Sequence, residues 1–422
     1  MQKVVHNLKI FEGHEAWNEV KLICEDIRTR GFEALLAGGC VRDLVMGRIP
    51  KDFDIATNAT PEEILKIYPD ALDVGREFGV SILAFQTFQV EIASFRKDGP
   101  YLDGRRPSSV SFTTAKEDAL RRDFTVNALF LNIKTGEIID YVGGLQDIQT
   151  KLLKAVGDPQ LRFSEDKLRM LRALRFSSQL EFEIEGETMR AIQKLHQSIQ
   201  QVSSERIKDE LTKWLTTSNL KPCLDGLWST GLLKSLHHSF EKLFDEKCFG
   251  QLSGFFVEDL TRYQLTTKFC LLFSFIIQKN QTDGSEILKQ LLKDLKFSNE
   301  QSAVIQWTLT NYFKLLGFKN LRLSDRIEMC AHQSFRVLEE FVSLFNPQLS
   351  KILGPEVDRL KMDYLPKGIL PQPLINGESL KALGLKPGRE MGELLKEIFR
   401  LQLEKKISSS DEALNFAKKK TT

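Results

Sequence analysis

Cysteine is sparse and unpatterned in this chain. Six residues in 422, Cys24, Cys40, Cys223, Cys248, Cys270 and Cys330, are scattered without a single CxxC pair. That excludes a zinc ribbon and a disulfide framework, and it predicts reduced, buried thiols in a cytoplasmic protein. Long apolar runs are missing as well. No segment approaches the roughly 18 consecutive apolar residues of a membrane span, and Met1 to His6 lacks the core of a signal peptide. No membrane role is expected. An excess of one charge is also absent: 59 basic residues face 57 acidic ones, a net charge of +2. Any surface for nucleic acid must therefore be local, and the candidates are Arg96-Lys97, Arg105-Arg106, Arg121-Arg122, the arginines of 162–175 and Lys418-Lys419-Lys420. There is no internal repeat and no low-complexity tract. His237-His238 lacks the following aspartate of a phosphohydrolase metal site.

The length exceeds what one hydrophobic core serves, so two to four domains are expected. Residues 13–30 read as a helix. From Glu33 to about Val142 the pattern is mixed, with strand candidates at Glu33–Ala37, Val80–Phe85, Gln89–Phe95 and Ile138–Val142. From residue 160 helical spacing takes over, and glycine and proline are scarce through 200–340. Phe and Leu recurring at that spacing over 227–345 are read as core. Gly354-Pro355 and the stretch Leu365–Pro373 are expected to break helices and to mark a linker before a small C-terminal helical unit.

The chemistry concentrates near the N-terminus. Asp52 and Asp54 flank Phe53, and on a β-strand alternate residues share a face, so the two carboxylates are expected side by side. Such a pair is common by chance, but its context is not. A short buried strand ending at Ala37 leads into Gly38-Gly39, where the backbone turns tightly and can approach a ligand. Cys40 to Met46 then reads as a helix whose first N–H groups face phosphate, with Arg42 one turn in as a bidentate phosphate donor. Strand, glycine turn, helix and a strand with two acids is a layout for phosphoryl or nucleotidyl transfer. Paired hard oxygen donors suit Mg²⁺.

Three blocks carry a resemblance. The first is Ala37–Asp43 followed by Asp52-Phe53-Asp54-Ile55-Ala56-Thr57. The second runs Arg121-Arg122-Asp123-Phe124-Thr125-Val126-Asn127-Ala128-Leu129, and the third spans Asp158 to Phe176. In this order they resemble the nucleotidyltransferase superfamily, and specifically class II tRNA nucleotidyltransferases (CCA-adding enzymes) with their close relatives, the bacterial poly(A) polymerases. The match covers residues 33–180. It weakens beyond 200 and returns at Ile375-Asn376-Gly377 and Gly384-Leu385-Lys386-Pro387-Gly388.

The resemblance implies an α+β N-terminal nucleotidyltransferase head with a mixed β-sheet over 1–150, then all-α neck (151–225), body (226–350) and tail (351–422). It implies template-independent CCA addition to tRNA 3′ ends from CTP and ATP with Mg²⁺, the helical half holding the acceptor arm, as a monomer or homodimer. Asp52 and Asp54 would hold the metal. Glu91, central in a neighbouring strand, matches a position that is often acidic in related enzymes; an outward-facing edge carboxylate is the other reading. Gly39, Arg42 and Arg122 would face the phosphates, with Asp123 and Asn127 near the sugar hydroxyls. Asp166 and Arg169 would read the base edge, since cytosine and adenine both show an amino donor beside a ring-nitrogen acceptor. Arg172 and Arg175 would support them.

The glycine-rich segment Lys97–Pro107 resembles the family's flexible loop for adding the terminal A. A bacterial poly(A) polymerase or an A-adding-only enzyme is the alternative, and Asp73–Ser81 looks more like the CCA-adding pattern. A catalytically dead RNA-binding module and a small-molecule nucleotidyltransferase are disfavoured by the intact acids and by the large helical annex.

Overall fold

The computed structural model describes residues 2–75, 79–99, 109–279 and 284–421. They fall into two compact units, Met1–Asp259 and Leu260–Thr422.

The first unit is built on a mixed sheet. Its strands are β1 (Gln2–Val5), β2 (Ala34–Ala37), β3 (Asp54–Thr57), β4 (Leu72–Gly75), β5 (Val80–Ala84) and β6 (Gln89–Ser94). A separate antiparallel pair follows, β7 (Arg96–Asp98) with β8 (Val110–Phe112), and the main sheet is completed by β9 (Leu129–Asn132) and β10 (Glu137–Asp140). The eight main strands lie in the order β1-β10-β9-β2-β3-β6-β5-β4. Every residue of β2 is buried, as its unbroken Ala-Leu-Leu-Ala run requires of a central strand covered on both faces. In β6 burial alternates, Val90, Ile92 and Ser94 pointing inward, so Glu91 faces the other way.

Helices frame this sheet: α1 (Trp17–Thr29), α2 (Gly39–Val45), α3 (Pro61–Ile67), α4 (Ala115–Arg121) and α5 (Gly144–Gln149). Ala115 and Ala119 of α4 bury their small side chains with Leu35, Ala56, Phe95, Ala128 and Phe130, which lets the helix lie close to the strands. Past it the unit is helical, with α6 (Pro159–Glu165), α7 (Leu168–Leu180), α8 (Gly186–Leu195) and α9 (Ser204–Leu215), interrupted by a two-residue strand at Glu183–Ile184.

The second unit is helical throughout its described residues. The expected break at Gly354-Pro355 does not occur. Pro355 sits inside a helix running Pro347–Tyr364, carried through by the buried Leu353, Val357 and Leu360. The irregular stretch comes at 365–376 instead. Beyond it Asn376 caps a short helix by accepting from Glu378 and Ser379 N–H. The last three helices share a core of Ile375, Leu380, Met391, Ile398, Ile407, Ala413 and Ala417. Among the described residues no helix is long and apolar enough to cross a membrane.

Candidate active site

All twelve residues singled out from the sequence line one cavity of about 620 Å³ in the first unit. They reach it from five different parts of the chain. The acids come first. Asp54 opens β3 and pairs in register with Ala37 of the antiparallel β2 and with Glu91 of the parallel β6. Laterally paired residues share a face, so Glu91, solvent-exposed but on an interior strand of the sheet, stands beside Asp54 on the cavity side. Asp52 lies two residues before β3, in the extended approach to it, so the two aspartates do not share one strand as expected. What orients them is Phe53. Its ring is buried against Phe11, Trp17 and His14, with centroids 5.2, 5.7 and 5.0 Å away, which turns its two acidic neighbours outward into the cavity.

The glycine turn closes the second side. Gly38 adopts φ +75°, and a Cβ there would lie 3.1 Å from Arg122 Nη1 and 3.9 Å from Asp54 Oδ2. Both the backbone conformation and the space demand glycine. The helix begins at Gly39, one residue earlier than the sequence suggests. Arg42 is buried and already engaged: its Nε and Nη2 donate to Asp43 Oδ1, and its Nη1 donates to Asn127 Oδ1 at 2.7 Å. Arg122 donates to Asp118 Oδ2 and, through Nη1, to the Asn127 carbonyl at 3.1 Å. Asn127 sits in a single 3-10 turn, Thr125–Asn127, before β9.

The helical side is a network of arginines and acids. Asp123 accepts from Arg172 Nε and Nη2 at 3.0 and 2.6 Å and from Asn127 Nδ2 at 3.2 Å. Arg175 Nε donates to Glu210 Oε2 at 2.6 Å, and Arg172 Nη1 lies 3.6 Å from the other oxygen of Glu210. Arg169 Nη1 donates to Glu165 Oε2 and its Nη2 to the Arg121 carbonyl. The guanidinium groups of Arg42, Arg172 and Arg175 stand 5.7, 5.2 and 4.0 Å from the Phe176 ring centroid. Asp166, three residues before Arg169, does not share a helix with the arginines. It lies in extended backbone between α6 and α7, with Oδ1 accepting from Leu168 N–H and Oδ2 from Arg206 Nη2.

Electrostatics divides the cavity. Burial, then Glu91 and Asp52, pushes the Asp54 carboxyl up to about 7, against the pull of Arg122. Burial and Asp52 likewise raise Glu91. Like charges are thus held together with too few cations to offset them, which is the environment a divalent cation relieves. The hard oxygen set fits one. Among the described residues no three acidic, His or Cys side chains form a ready-made cage, consistent with an ion held by one or two carboxylates and completed by substrate phosphates. On the other side burial works against ionisation of Asp123, but Arg172 outweighs it and holds the carboxyl down at about 2. Glu210 is likewise kept below its ordinary range by Arg175 and Arg172 despite burial.

Glu210 and Arg206 escaped the sequence reading. Glu210 had a usable signal, being the acid set among Ile207, Leu211, Trp214 and Leu215 on the apolar face of α9. Arg206 had none, since its partner is 40 residues away. Most of the expected A-addition loop, and part of Asp73–Ser81, lie outside the described residues.

Comparison with known proteins bears on the family and the fold. Residues 34–154 match the family model described as the poly A polymerase head domain, and residues 181–243 match one described as a probable RNA and SrmB-binding site of polymerase A. A CCA-adding enzyme of Enterococcus faecalis is 35% identical over 96% of each chain. One from Bacillus licheniformis is 45% identical over 51% of this chain and 54% of its own. The crystal structure of the Bacillus stearothermophilus CCA-adding enzyme in complex with CTP superposes with a TM-score of 0.76 at 24% identity, covering 96% of this chain and 98% of that one. The Thermotoga maritima CCA-adding enzyme complexed with tRNA gives 0.67 at 20% identity over the full length of both. At such identities these structures speak to the fold.

Proposed function

The chain belongs to the family of CCA-adding enzymes, tRNA nucleotidyltransferases that build the 3′ CCA end from CTP and ATP, and from that premise we propose how its cavity carries the reaction. The observation that supports the assignment is the convergence of three separated sequence blocks on one cavity, with uncompensated carboxylates at one end and guanidinium groups at the other. A nucleoside triphosphate fits that polarity.

Asp52 and Asp54, with Glu91 beside them, would hold Mg²⁺ at the acidic end, and the ion would supply charge neutralisation for the triphosphate and acidify the attacking 3′-hydroxyl. The remaining steps belong to the protein. The Gly38-Gly39 turn lets backbone approach the phosphates, and Arg122 and Arg42 set positive charge along them. Asp123 and Asn127, fixed against Arg172 and Arg42, line the ribose side, where polar partners for the 2′-OH reject a deoxynucleotide. Asp166 accepts from the exocyclic amino group of cytosine or adenine, and Arg169 donates to the ring nitrogen. Uracil and guanine present the opposite order, so the pair serves as a template made of amino acids. The helical second unit and the C-terminal part of the first hold the acceptor arm through its backbone and shape, since duplex RNA offers side chains little sequence to read. A cytoplasmic location follows as an expectation from this reading.

The test is direct. Purified protein with Mg²⁺ is given labelled tRNAs ending before CCA, after C and after CC, each with CTP, ATP or both. Ordered addition of C, C and A that then stops is expected. Extension by A alone from the CC end marks an A-adding enzyme, and unlimited A addition marks a poly(A) polymerase.

A further inference from the structure

Helix α9 meets α7 and the segment just before it through two ion pairs of opposite sense. Arg206 and Glu210, four residues apart, share one face of α9. Glu210 takes Arg175, as described, and Arg206 Nη2 donates to Asp166 Oδ2 at 2.7 Å. The first rung is a buried clamp between helices. The second ends on the one residue of the base-reading pair that no helix holds.

The geometry points to Arg206 as a positioning residue for nucleotide selection, a role that rests on the reading of Asp166 as a base acceptor. Asp166 lies at φ −139°, ψ 105°, between two helices, so its backbone does not fix where the carboxylate aims. Two donors do, one on each oxygen: Leu168 N–H at 3.1 Å and Arg206 at 2.7 Å. With one lone pair of each oxygen occupied, the remaining acceptor directions are set, and a carboxylate held this way accepts from an amino group but has nothing to offer a carbonyl. Asp166 lines the cavity and Arg206 does not, so Arg206 acts from behind it. The contact is no freely solvated surface pair, since the two side chains are only 22% and 16% exposed. Without Arg206, Asp166 keeps a single anchor and can turn about χ1 and χ2, so its preference for an amino edge weakens. Arg169 has its own supports in Glu165 and the Arg121 carbonyl, and they stay in place.

The experiment compares Arg206→Met, Arg206→Lys, Asp166→Ala and the double variant Asp166→Ala with Arg206→Met. It reads kcat/KM for CTP and UTP on tRNA ending before CCA, and for ATP and GTP on tRNA ending in CC. Arg206→Met is expected to lower the CTP/UTP and ATP/GTP ratios by roughly tenfold, the scale of one charge-assisted hydrogen bond. Lysine, which keeps a donor, restores most of the selectivity. The double variant is no less selective than Asp166→Ala alone, because the arginine acts only through the aspartate. Equal loss with all four nucleotides, or an unchanged ratio where Asp166→Ala relaxes it, overturns the positioning role. A ratio unmoved by Asp166→Ala itself overturns the underlying base-reading assignment instead. Should Arg206→Met fail to fold, Arg206→Gln against Arg206→Lys carries the same comparison.

Discussion

The two ends of the cavity treat buried charge in opposite ways. At the sheet end Asp52, Asp54 and Glu91 crowd like charges together, and the Asp54 carboxyl rises to about 7. At the helical end the acids meet guanidinium groups: Asp123 with Arg172, the buried Glu210 with Arg175, and Glu165 with Arg169. Carboxylates there are held down rather than pushed up, Asp123 at about 2. The sheet end holds unfavourable charge of the kind a metal and a triphosphate would relieve. The helical end is complete by itself and serves as a frame. Activity is therefore expected to depend most on the first and stability on the second.

The largest effect separating them is on turnover. Asp52→Ala and Asp54→Ala each remove a proposed metal donor and are expected to lower nucleotide addition at least on the order of a thousandfold, the scale of several kcal/mol of transition-state charge stabilisation. Binding of tRNA, measured by filter retention or anisotropy, stays close to wild type. Substantial turnover in both variants would erase the distinction between the two ends.

Glu210→Gln tests the frame. It leaves the buried Arg175 beside a neutral partner, and breaking such a buried pair costs about 3 to 5 kcal/mol. The expected readout is a large fall in the denaturant midpoint of the first unit. A shift no larger than that of an exposed pair such as Lys289–Glu286, which contributes at most about 1 kcal/mol, would show that the network is not a clamp.

The acid limb gives a smaller and more specific test. Asp123 has its carboxyl depressed from 3.8 to about 2 in the folded protein. A depressed acid stabilises the fold above its unfolded value, and that contribution disappears as pH falls through the folded one. The shift corresponds to about 2 to 3 kcal/mol. Urea midpoints of wild type and Asp123→Asn should differ most at pH 5 to 6, on the order of one to two units above the unfolded carboxyl value, and should converge as pH drops toward 2. A gap independent of pH would mean that packing, not charge, holds Asp123.

Much of this site was legible in the sequence because its parts are local. A glycine turn, two acids around a phenylalanine and a run of arginines each declare themselves within a few residues. What stayed hidden was pairing across distance. The neighbourhood of Asp54 and Glu91 follows from the register of β3 and β6, and no single strand contains it. Phe53 as the anchor that turns both aspartates outward depends on Phe11 and Trp17. The break at Asp166 was invisible because three-residue spacing continues through it. A lone proline misled in the other direction, since burial of Leu353, Val357 and Leu360 carries a helix past Pro355. Tertiary packing overrode local propensity there.

The subtlest consequence of the contrast is a difference in sign. Replacing Asp54 by asparagine removes one of three clustered carboxylates while keeping the side chain's volume and an oxygen acceptor. The charge removed is one that burial, Glu91 and Asp52 already oppose and that Arg122 favours. Without divalent metal, Asp54→Asn is therefore expected to leave the thermal midpoint unchanged or to raise it, by no more than about 1 to 2 kcal/mol equivalent, as relief of like-charge repulsion does elsewhere. Glu210→Gln, chemically the same substitution, must lower it. Adding Mg²⁺ with a non-hydrolysable CTP analogue reverses the order at the first site, since wild type gains binding energy that the asparagine variant lacks. Thermal scans of both variants, with and without metal and analogue, decide the matter. If Asp54→Asn destabilises the metal-free protein as much as Glu210→Gln does, the acidic end is part of the frame, and the division between a poised site and a completed scaffold fails.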